Sequence, residues 1–272
     1  MKHDPVGDHL KSLESSARSA NLAHGWLCAR LDGHTFSKVT RGLNRPYDTR
    51  MSTAMIDTTR DLVDATTAQF GYTQSDEITL LWAPRVAPDE WDFAGRRDKW
   101  LSLLAARTTA LFHQHLLSND LMATAQKVPH FDCRIIDGLS IQDAFSFLTW
   151  RQEDARRNAV QMMAQHYFPK KSLFGQNLGV LKNRLRDNGT PFEDEPEFFQ
   201  NGSLLRVTKR NMTPEERLVI PEQHRPSADT PILRRHIETL THRLPKDIKD
   251  VIAQLRPQES STDASANTLS TV

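Results

Sequence analysis

The amino-acid sequence predicts an α+β protein: a ferredoxin-like (βαββαβ), palm-like antiparallel sheet covered by helices, with a helical C-terminal extension. Three observations predict this fold. Short apolar runs typical of buried strands alternate with longer segments of helical periodicity. Two of the runs flank an acidic turn and therefore indicate a hairpin. The resulting β-α-β-β-α-β order is the one that such a sheet needs.

The first half of the chain contains three predicted strands, with a helix between the first two. The first strand stops at the turn dipeptide Asp32–Gly33. After a loop over residues 40–48, apolar residues at helical spacing predict a helix that we expect Gly71 to end. An acidic turn then joins two strands. These elements are the strand Trp26–Leu31, a helix over about residues 49–69, and the hairpin strands Tyr72–Gln74 and Ile78–Trp82.

The second half of the chain continues the pattern. We expect a helix over 96–117, a strand over 131–136, a helix over 141–165 broken near 148–150, a helix over 178–186 and a strand over 204–207. Residues 1–22 look helical, as do short amphipathic segments over 232–244 and 248–255. The predicted organisation is a palm domain (1–138), the helical remainder of that core (139–210), a C-terminal extension (211–257) and a disordered, Ser- and Thr-rich tail (258–272).

The composition is typical of a globular protein of the cytoplasm. Hydrophobic residues make up 38% and charged residues 25% of the 272 positions. No apolar stretch is long enough to span a bilayer, and residues 1–5 lack the apolar core of a signal peptide, so we expect no membrane association. The two cysteines, Cys28 and Cys133, lie in strand-like segments and are expected to be buried, reduced thiols.

Basic residues are concentrated in one part of the chain, although the formal net charge is only +1. Between Arg151 and Arg186 there are eight Lys and Arg residues against two acidic ones. Such a run is most often a solvated face, but it would also suit a phosphate-rich ligand. Composition alone does not choose between these interpretations.

Acidic side chains stand where predicted strands end, at Asp32 and at Asp76–Glu77. In a β-α-β-β unit the first strand commonly lies beside the hairpin, so we expect these carboxylates to converge on one edge of the sheet. Two carboxylates, a backbone carbonyl, waters and substrate phosphates suit a pair of Mg²⁺ ions. The alternative is ordinary, because Asp-Gly is a routine turn dipeptide and acidic hairpin turns are routinely solvated. Spacing alone leaves both open.

Cations follow both acidic positions. Lys38, Arg41 and Arg45 come after the first, and Arg96 and Lys99 open the helix that follows the hairpin. A spacing of three at a helix N-terminus can present both charges to phosphate, although each residue taken singly is also explained as ordinary surface. The sequence contains no Gly-x-x-x-x-Gly-Lys, Gly-x-Gly-x-x-Gly or Gly-x-Ser-x-Gly motif.

Five short segments, in order, resemble the active-site motifs of the tRNA(His) guanylyltransferase family. They are Arg30–Phe36, Arg45–Asp48, Gln74–Glu77, Phe131–Arg134 and Trp150–Asn158. None of them is specific alone, but the ordered set is. The resemblance covers roughly residues 6 to 210.

The resemblance implies a two-metal nucleotidyltransferase that acts on the 5′ end of tRNA. It assigns two Mg²⁺ ions to Asp32, Asp76 and the Gly33 carbonyl, and catalysis to Asp32, Asp76 and Glu77. ATP would adenylylate the tRNA 5′-monophosphate, and the 3′-hydroxyl of GTP or another NTP would then displace AMP. The implied nucleotide-binding residues are Asp32, Gly33, His34, Thr35, Phe36, Ser37, Arg45, Asp48, Ser75, Asp76, Arg96, Lys99, Asp154 and Asn158.

Two segments, Val6–Lys11 and Arg156–Gln161, resemble the bacterial, archaeal and phage guanylyltransferase-like branch of this family. Eukaryotic members usually carry His-Ile-Asn-Asn where this chain has Arg156–Ala159. The resemblance therefore favours templated 3′–5′ repair of truncated tRNA 5′ ends over addition of one guanosine to tRNA(His), and it implies a homotetramer or homodimer. Gln176 stands near the position where a lysine is expected in that branch.

Two other classes of protein remain as alternatives. One is a palm-type nucleotide cyclase that uses only small nucleotides, which would have no use for the Trp150–Asn158 segment. The other is a catalytically silent RNA-binding protein, which would have no need for Asp32, Asp76 and Glu77 together.

Overall fold

The computed structural model describes residues 9–10, 12–13, 20–86, 90–227 and 230–255. Most of the helix expected over residues 1–22 and most of the Val6–Lys11 segment lie outside the described residues. The tail over 258–272, expected to be disordered, also lies outside them.

The first four strands and the helices between them follow one another in the order that the sequence predicts. The strands are β1 (Trp26–Gly33), β2 (Phe70–Gln74), β3 (Glu77–Trp82), β4 (Phe131–Leu139), β5 (Ser203–Asn211) and β6 (Leu233–Leu240). The helices are α1 (Phe36–Val39), α2 (Thr49–Ala65), α3 (Arg97–Ser118), α4 (Met122–Ala125), α5 (Ile141–Tyr167), α6 (Leu178–Asp187), α7 (Glu197–Asn201), α8 (Pro214–Arg217) and α9 (Ile248–Leu255).

The strands form one antiparallel sheet in the order β4-β1-β3-β2-β5-β6. Its first four strands, with α2 and α3 as the connecting helices, are the βαββαβ unit of the prediction. The predicted fold class is therefore confirmed. Two further strands widen the sheet beside β2, and β6 comes from the segment that we expected to be an extension over 211–257.

Two apolar cores cover the two faces of the sheet because side chains alternate along each strand. On one face, Leu27, Ala29 and Leu31 of β1 pack in a core that includes residues of α2 and α3. On the other face, Cys28 packs in a core with residues of α5 and α9. The same alternation places Arg30 and Asp32 on the α5 face of β1, which decides where the chemistry of the sheet edge points.

A glycine that was expected to end a helix lies inside a strand instead. Helix α2 ends at Ala65, and Gly71 is the second residue of β2. A Cβ atom at this position would come within 2.6 Å of the Val63 side chain and 2.7 Å of the Thr59 side chain. The missing side chain lets α2 pack closely against the sheet, so the glycine is explained by packing and the C-cap prediction was wrong.

Two other predictions about secondary structure were also wrong. Helix α5 continues without a break through residues 148–150, where Leu148 is fully buried against the sheet. The segment over 232–244, expected to be a helix, contains strand β6, which pairs with β5 from Leu204 opposite Leu240 to Asn211 opposite Leu233. Pairing with an otherwise open edge of β5 satisfies backbone groups and outweighs the helical pattern of the sequence. The helix expected over 248–255 is present as α9.

Neither cysteine among the described residues is in a disulfide. Burial raises the pKa of the Cys28 thiol and of the Cys133 thiol to about 12, so both stay protonated at neutral pH. None of the helices within the described ranges is long and apolar enough to cross a membrane.

Candidate active site

The end of β1 and the β2–β3 turn bring the predicted carboxylates to one edge of the sheet, the one at which β1 and β2 end and β3 begins. Asp32 and Glu77 are direct partners in the register of β1 and β3. The Gly33 backbone N–H donates a hydrogen bond to the Asp76 carbonyl oxygen at 3.0 Å. The structure thus gathers Asp32, Gly33, Asp76 and Glu77, the four residues to which the sequence assigned the metals and catalysis.

A tight turn follows β1 and depends on Gly33. A Cβ atom at Gly33 would lie 2.3 Å from the ring of Phe36, which is 5% exposed and packs against Phe112 and Phe131. Phe36 therefore anchors the turn in the core. His34 and Thr35 are exposed beside it, and the His34 ring lies 4.9 Å from that of His130.

Two arginines hold the Glu77 carboxylate. Arg30 donates to Glu77 Oε1 at 2.5 Å and also contacts Asp32 Oδ2 at 3.3 Å. Arg151, whose side chain is only 8% exposed, forms an ion pair with Glu77 Oε2 and another with Asp154 at 3.3 Å. Both oxygens of Glu77 are therefore engaged by cations of the chain itself. Asp32, by comparison, contacts Arg30 through one oxygen only.

Asp76 is in the opposite electrostatic situation. Within the described residues no arginine, lysine or histidine is ion-paired with its carboxylate. The pKa of Asp76 is raised to about 6, chiefly by burial and also by the negative charges of Asp32 and Glu77, while a hydrogen bond with Ser75 opposes the shift. The folded protein thus holds two neighbouring carboxylates with too little positive charge, which is a site that favours a cation.

The donor set fits Mg²⁺. Mg²⁺ is usually bound by one or two protein carboxylates and completes its six oxygen ligands with waters and substrate phosphates. The described residues contain no cluster of three or more His, Cys, Asp or Glu side chains placed to hold a metal, so an all-protein cage of the zinc type does not fit here. Asp32, Asp76 and the backbone at Gly33 are the groups that would hold such an ion.

A cavity of about 350 Å³ opens beside Asp76. Its size is in the range of small-molecule sites, and its wall is largely apolar with polar groups at one side. The apolar wall consists of Phe36, Leu43, Pro46, Tyr47, Met51, Met55, Ile56, Met162, Phe198 and Phe199. The polar lining includes Ser37, Asn44, Arg45, Asp48, Thr73, Gln74, Ser75 and Asp76. The shape and chemistry suit a flat, partly apolar group such as a nucleobase next to the carboxylates.

The remaining predicted residues near this edge have different surroundings. Arg45 is exposed at the cavity, whereas Asp48 is buried, caps α2 and is paired with Arg50 at 2.8 Å. Its hydrogen bonds with Arg50 lower the pKa of Asp48 and occupy both carboxylate oxygens. Asp48 therefore shapes the cavity more than it offers a charge to a ligand.

Asp154 and Asn158 lie one turn apart on α5, and Asp154 is in contact with Arg151. Asp154 contacts Arg151 and, at 2.8 Å, Arg157. The Asn158 amide lies 3.5 Å from Asp154. Neither residue lines the cavity, so the structure joins them to the site through Arg151 rather than through the pocket.

Arg96 and Lys99 are not brought to this edge. The neighbouring Arg97 bonds Asp137 near the far end of β4, and Arg96 pairs with Asn21 before β1 begins. At about 3.3 Å per residue of strand, this end of the sheet is roughly 15–20 Å from Asp32. Lys99 is exposed, with its ammonium 5.8 Å from the ring of Phe93. Within one chain these two cations do not face the carboxylates.

Comparisons with known proteins agree on one family. The family model described as tRNAHis guanylyltransferase matches residues 7–137. An uncharacterised protein of Acanthamoeba polyphaga mimivirus is 35% identical over 188 residues, which are 61% of this chain and 64% of that protein. The tRNA(His) guanylyltransferase of Neurospora crassa is 24% identical over 203 residues, 68% of this chain and 67% of that protein.

A solved structure is similar to this chain in both fold and sequence. The bacterial tRNA(His) guanylyltransferase-like protein in complex with ATP superposes with a TM-score of 0.66 and 27% identity, over 74% of this chain and 88% of that one. This chain is similar to the tRNA(His) guanylyltransferase family in sequence and in fold. The resemblance found in the sequence is thereby confirmed.

The motifs of the tRNA(His) guanylyltransferase family can now be placed in the structure. Arg30–Phe36 forms the end of β1 and the turn after it, Gln74–Glu77 forms the β2–β3 turn, and Trp150–Asn158 lies in α5. Sequence reasoning assigned no role to Arg30 or Arg151. The alternation along β1 puts Arg30 on the same face as Asp32 and was a usable signal, whereas the contact of Arg151 with Glu77 is visible only in the folded chain.

Proposed function

We propose that this chain is a Mg²⁺-dependent nucleotidyltransferase that adds nucleotides in the 3′–5′ direction to the 5′ end of tRNA, with ATP and GTP or another NTP as substrates. The observation that carries the proposal is the meeting of Asp32 and Asp76 beside a cavity of nucleobase size. The names of the relatives support it, since one is a tRNA(His) guanylyltransferase and another was solved with ATP.

Each residue of the edge has a role in this proposal. Asp32, Asp76 and the Gly33 carbonyl would hold the metal ions, which would neutralise phosphate charge and lower the pKa of the attacking hydroxyl. Glu77 fixes Arg30 beside Asp32, and so sets the position of that carboxylate. The cavity takes the base, with Ser37, Ser75 and the exposed Arg45 at its polar side.

The proposed reaction has two nucleotidyl transfers. The 5′-monophosphate of the tRNA first attacks the α-phosphate of ATP, forming a phosphoanhydride with AMP and releasing pyrophosphate. The 3′-oxygen of the incoming NTP then bonds to the tRNA 5′-phosphorus, the anhydride bond breaks, and AMP leaves. Catalysis of such transfers depends mainly on positioning and on stabilising charge, which is what rigid carboxylates on a sheet edge can supply.

We propose templated repair of 5′-truncated tRNA as the biological reaction, with guanosine addition specific to tRNA(His) as the alternative. The supporting observation is the segment that replaces the eukaryotic His-Ile-Asn-Asn. Arg156 is bonded to Asn201 and lies 5.6 Å from the Phe192 ring, and Arg157 is paired with Asp154. These arginines are engaged within the chain. We further propose a cytoplasmic enzyme that works as a homodimer or homotetramer.

One assay tests the central proposal. The protein is incubated with ATP, GTP, Mg²⁺ and a 5′-monophosphorylated tRNA that lacks its first nucleotide, and the RNA is sized on a denaturing gel. We expect a product one or more nucleotides longer at its 5′ end, and none when Mg²⁺ is chelated or Asp76→Ala is used. A protein that hydrolyses or cyclises the NTP but never lengthens the RNA would not be the proposed enzyme.

A further inference from the structure

An exposed tryptophan stands next to the candidate active site. Of the five tryptophans, Trp82, Trp91 and Trp100 are buried and Trp26 is partly buried. Trp150, on α5, is 50% exposed. Exposing a large apolar ring to water is unfavourable in free energy, and covering it would relieve that cost. The position of the ring in the fold therefore indicates where a binding partner could contact the protein.

The Trp150 ring is one side chain away from the catalytic carboxylates. The guanidinium of Arg151 lies 4.7 Å from the ring centroid. The same guanidinium forms the ion pair with Glu77, and Glu77 is the register partner of Asp32. Phe147 packs edge-on against the indole at 6.3 Å, so the ring is held from two sides.

Arginines lie on the neighbouring strand and on the same helix, each of them paired with an acid of the chain. Arg134 is the register partner of Arg30 across β1 and β4, and its side chain is 61% exposed. Arg157 lies two turns after Trp150 on the same side of α5, is 46% exposed and is paired with Asp154 at 2.8 Å. Exposed aromatic rings beside arginines are the usual means by which proteins bind unpaired or terminal nucleobases, because bases stack on both aromatic and guanidinium planes.

We propose that Trp150 is a stacking platform for a nucleobase at the 5′ end of the RNA substrate. The inference rests on the proposed function and adds to it a residue that positions the RNA rather than the NTP. Stacking holds any of the four bases, which suits an enzyme that must accept different 5′ ends. The position of the ring beside the candidate active site favours the RNA substrate over a second copy of this chain as the group that covers the ring.

The first test is spectroscopic and independent of catalysis. The probe is a 5′-monophosphorylated RNA hairpin that mimics an acceptor stem lacking its first nucleotide, with a fluorescein at its 3′ end. Its binding is followed by anisotropy, and the intrinsic tryptophan fluorescence is followed with unlabelled hairpin. We expect the RNA to quench the wild type, to protect it from acrylamide, and to leave the fluorescence of Trp150→Phe much less changed.

The second test is kinetic and separates stacking from packing. In Trp150→Leu, which keeps apolar bulk against Arg151, we expect the KM for the hairpin to rise about 5- to 100-fold while the KM for ATP stays unchanged. Trp150→Phe should recover most of the loss because it keeps an aromatic face. Phe93→Ala is the matched control, since Phe93 is an exposed aromatic residue at the other end of the sheet.

The outcomes separate this inference from the function on which it rests. If the hairpin binds and is extended, but neither quenching nor its KM depends on Trp150, the platform is wrong and the proposed function stands. If light scattering shows that Trp150→Leu dissociates an oligomer while RNA quenching is absent, the ring belongs to a subunit contact and the platform is again wrong. If the hairpin neither binds nor is extended by the wild type, the proposed function itself fails.

Discussion

The carboxylates of Asp32 and Glu77 lie opposite each other on β1 and β3, and one arginine, Arg30, contacts both of them at 3.3 and 2.5 Å. The two acids nevertheless have different tasks. Arg30 pairs with one oxygen of Glu77 and Arg151 with the other, whereas Asp32 contacts Arg30 through one oxygen only. The two acids therefore differ in their contacts, and under the proposed function this difference leads to separate predictions.

Removing Asp32 should abolish nucleotide addition and leave the fold intact. Asp32→Ala deletes an oxygen ligand of a hard cation, so we expect kcat to fall by more than about 100-fold. Circular dichroism and the thermal midpoint should stay near the wild type, because the Asp32 side chain is 30% exposed. The matched control is Asp132→Ala, which removes the register partner of Asp32 on β4, an acid that is 54% exposed and paired with Arg134. Equal loss in both variants would contradict a specific role for Asp32.

Replacing Asp76 should stabilise the metal-free protein while it destroys activity. The folded-state pKa of Asp76 is about 6, above its ordinary value of 3.8. The stability that this acid contributes is therefore fully present below pH 3.8 and is lost as the pH rises through 6. At pH 7 without metal, the free energy of unfolding of Asp76→Asn should exceed that of the wild type by about 1–2 kcal/mol, because the variant removes a half-buried charge that has no cationic partner among the described residues.

The same variant provides a readout of metal binding. Mg²⁺ with ATP should raise the stability of the wild type in proportion to the occupancy of the site and should leave Asp76→Asn unchanged. The measurement is a urea titration at pH 5 and pH 7, with EDTA or with Mg²⁺ and ATP. A wild type that gains nothing from Mg²⁺ and ATP would count against Asp76 as a metal ligand.

Arg151, which is ion-paired with Glu77, should contribute to the stability of the fold as well as to activity. Arg151→Met leaves Glu77 with one cation and leaves Asp154 paired only with the exposed Arg157. We expect a loss of about 1–3 kcal/mol in the free energy of unfolding, the cost of unsatisfied groups in a partly buried site. Arg157→Met is the control, because Arg157 is 46% exposed and its pair with Asp154 should contribute less than about 1 kcal/mol. Identical denaturation curves for the two variants would show that the Arg151–Glu77 pair does not hold in solution.

The sequence predicted the parts of the fold that depend on local pattern. Strand β1, the hairpin and α2 follow from apolar runs and helical spacing, and the convergence of Asp32 with Asp76 follows from the topology. Strand β6 was missed because a strand at a sheet edge is stabilised by the partner it finds, here β5, and the segment itself carries a helical pattern.

The site was less predictable than the fold, because its details depend on contacts between distant segments. Arg151 reaches Glu77 from 74 residues away, and the cavity wall takes Met162 and Phe199 from segments with no sequence signal for a ligand. Asp48 looked like a ligand but caps a helix, since an aspartate before a helical segment fits both roles in sequence.

The nucleotide-binding role that the resemblance implies for Arg96 and Lys99 is compatible with this structure only if a second copy of the chain supplies them. In one chain they lie at the far end of the sheet, so they can meet a triphosphate only if a second copy presents them. If so, Arg96→Ala with Lys99→Ala should raise the KM for NTP about 10-fold or more, from the ~1.5–3 kcal/mol of hydrogen bonds to charged groups.

Mixing variants tests whether these cations act across subunits. Copies with Asp76→Ala supply the cations, and copies with both alanines at 96 and 99 supply the carboxylates. After co-refolding, the mixture should be more active than either variant alone at the same total concentration. An unchanged KM in the double variant would instead identify Arg96 and Lys99 as ordinary surface residues.

Templated addition distinguishes the proposed repair enzyme from one that only matures tRNA(His). The motivating observation is Arg156–Ala159 in place of His-Ile-Asn-Asn, with Arg156 and Arg157 both engaged by residues of the same chain. If base pairing selects the incoming NTP, the protein needs to read only the shape and backbone of the RNA. We therefore expect a tRNA that lacks its first nucleotide to receive whichever base pairs with the opposing strand, whatever its anticodon.

The measurement uses truncated tRNAs that differ only in the base opposite the missing nucleotide, each offered all four NTPs. Product identity is read by primer extension, and kcat/KM is compared for the matched and mismatched NTPs. Binding should also weaken steeply between low and moderate salt, because the basic residues from Arg151 to Arg186 would release counterions from RNA phosphates. Addition of guanosine regardless of the opposing base, and only with a histidine anticodon, would replace repair by tRNA(His) maturation as the function of this chain.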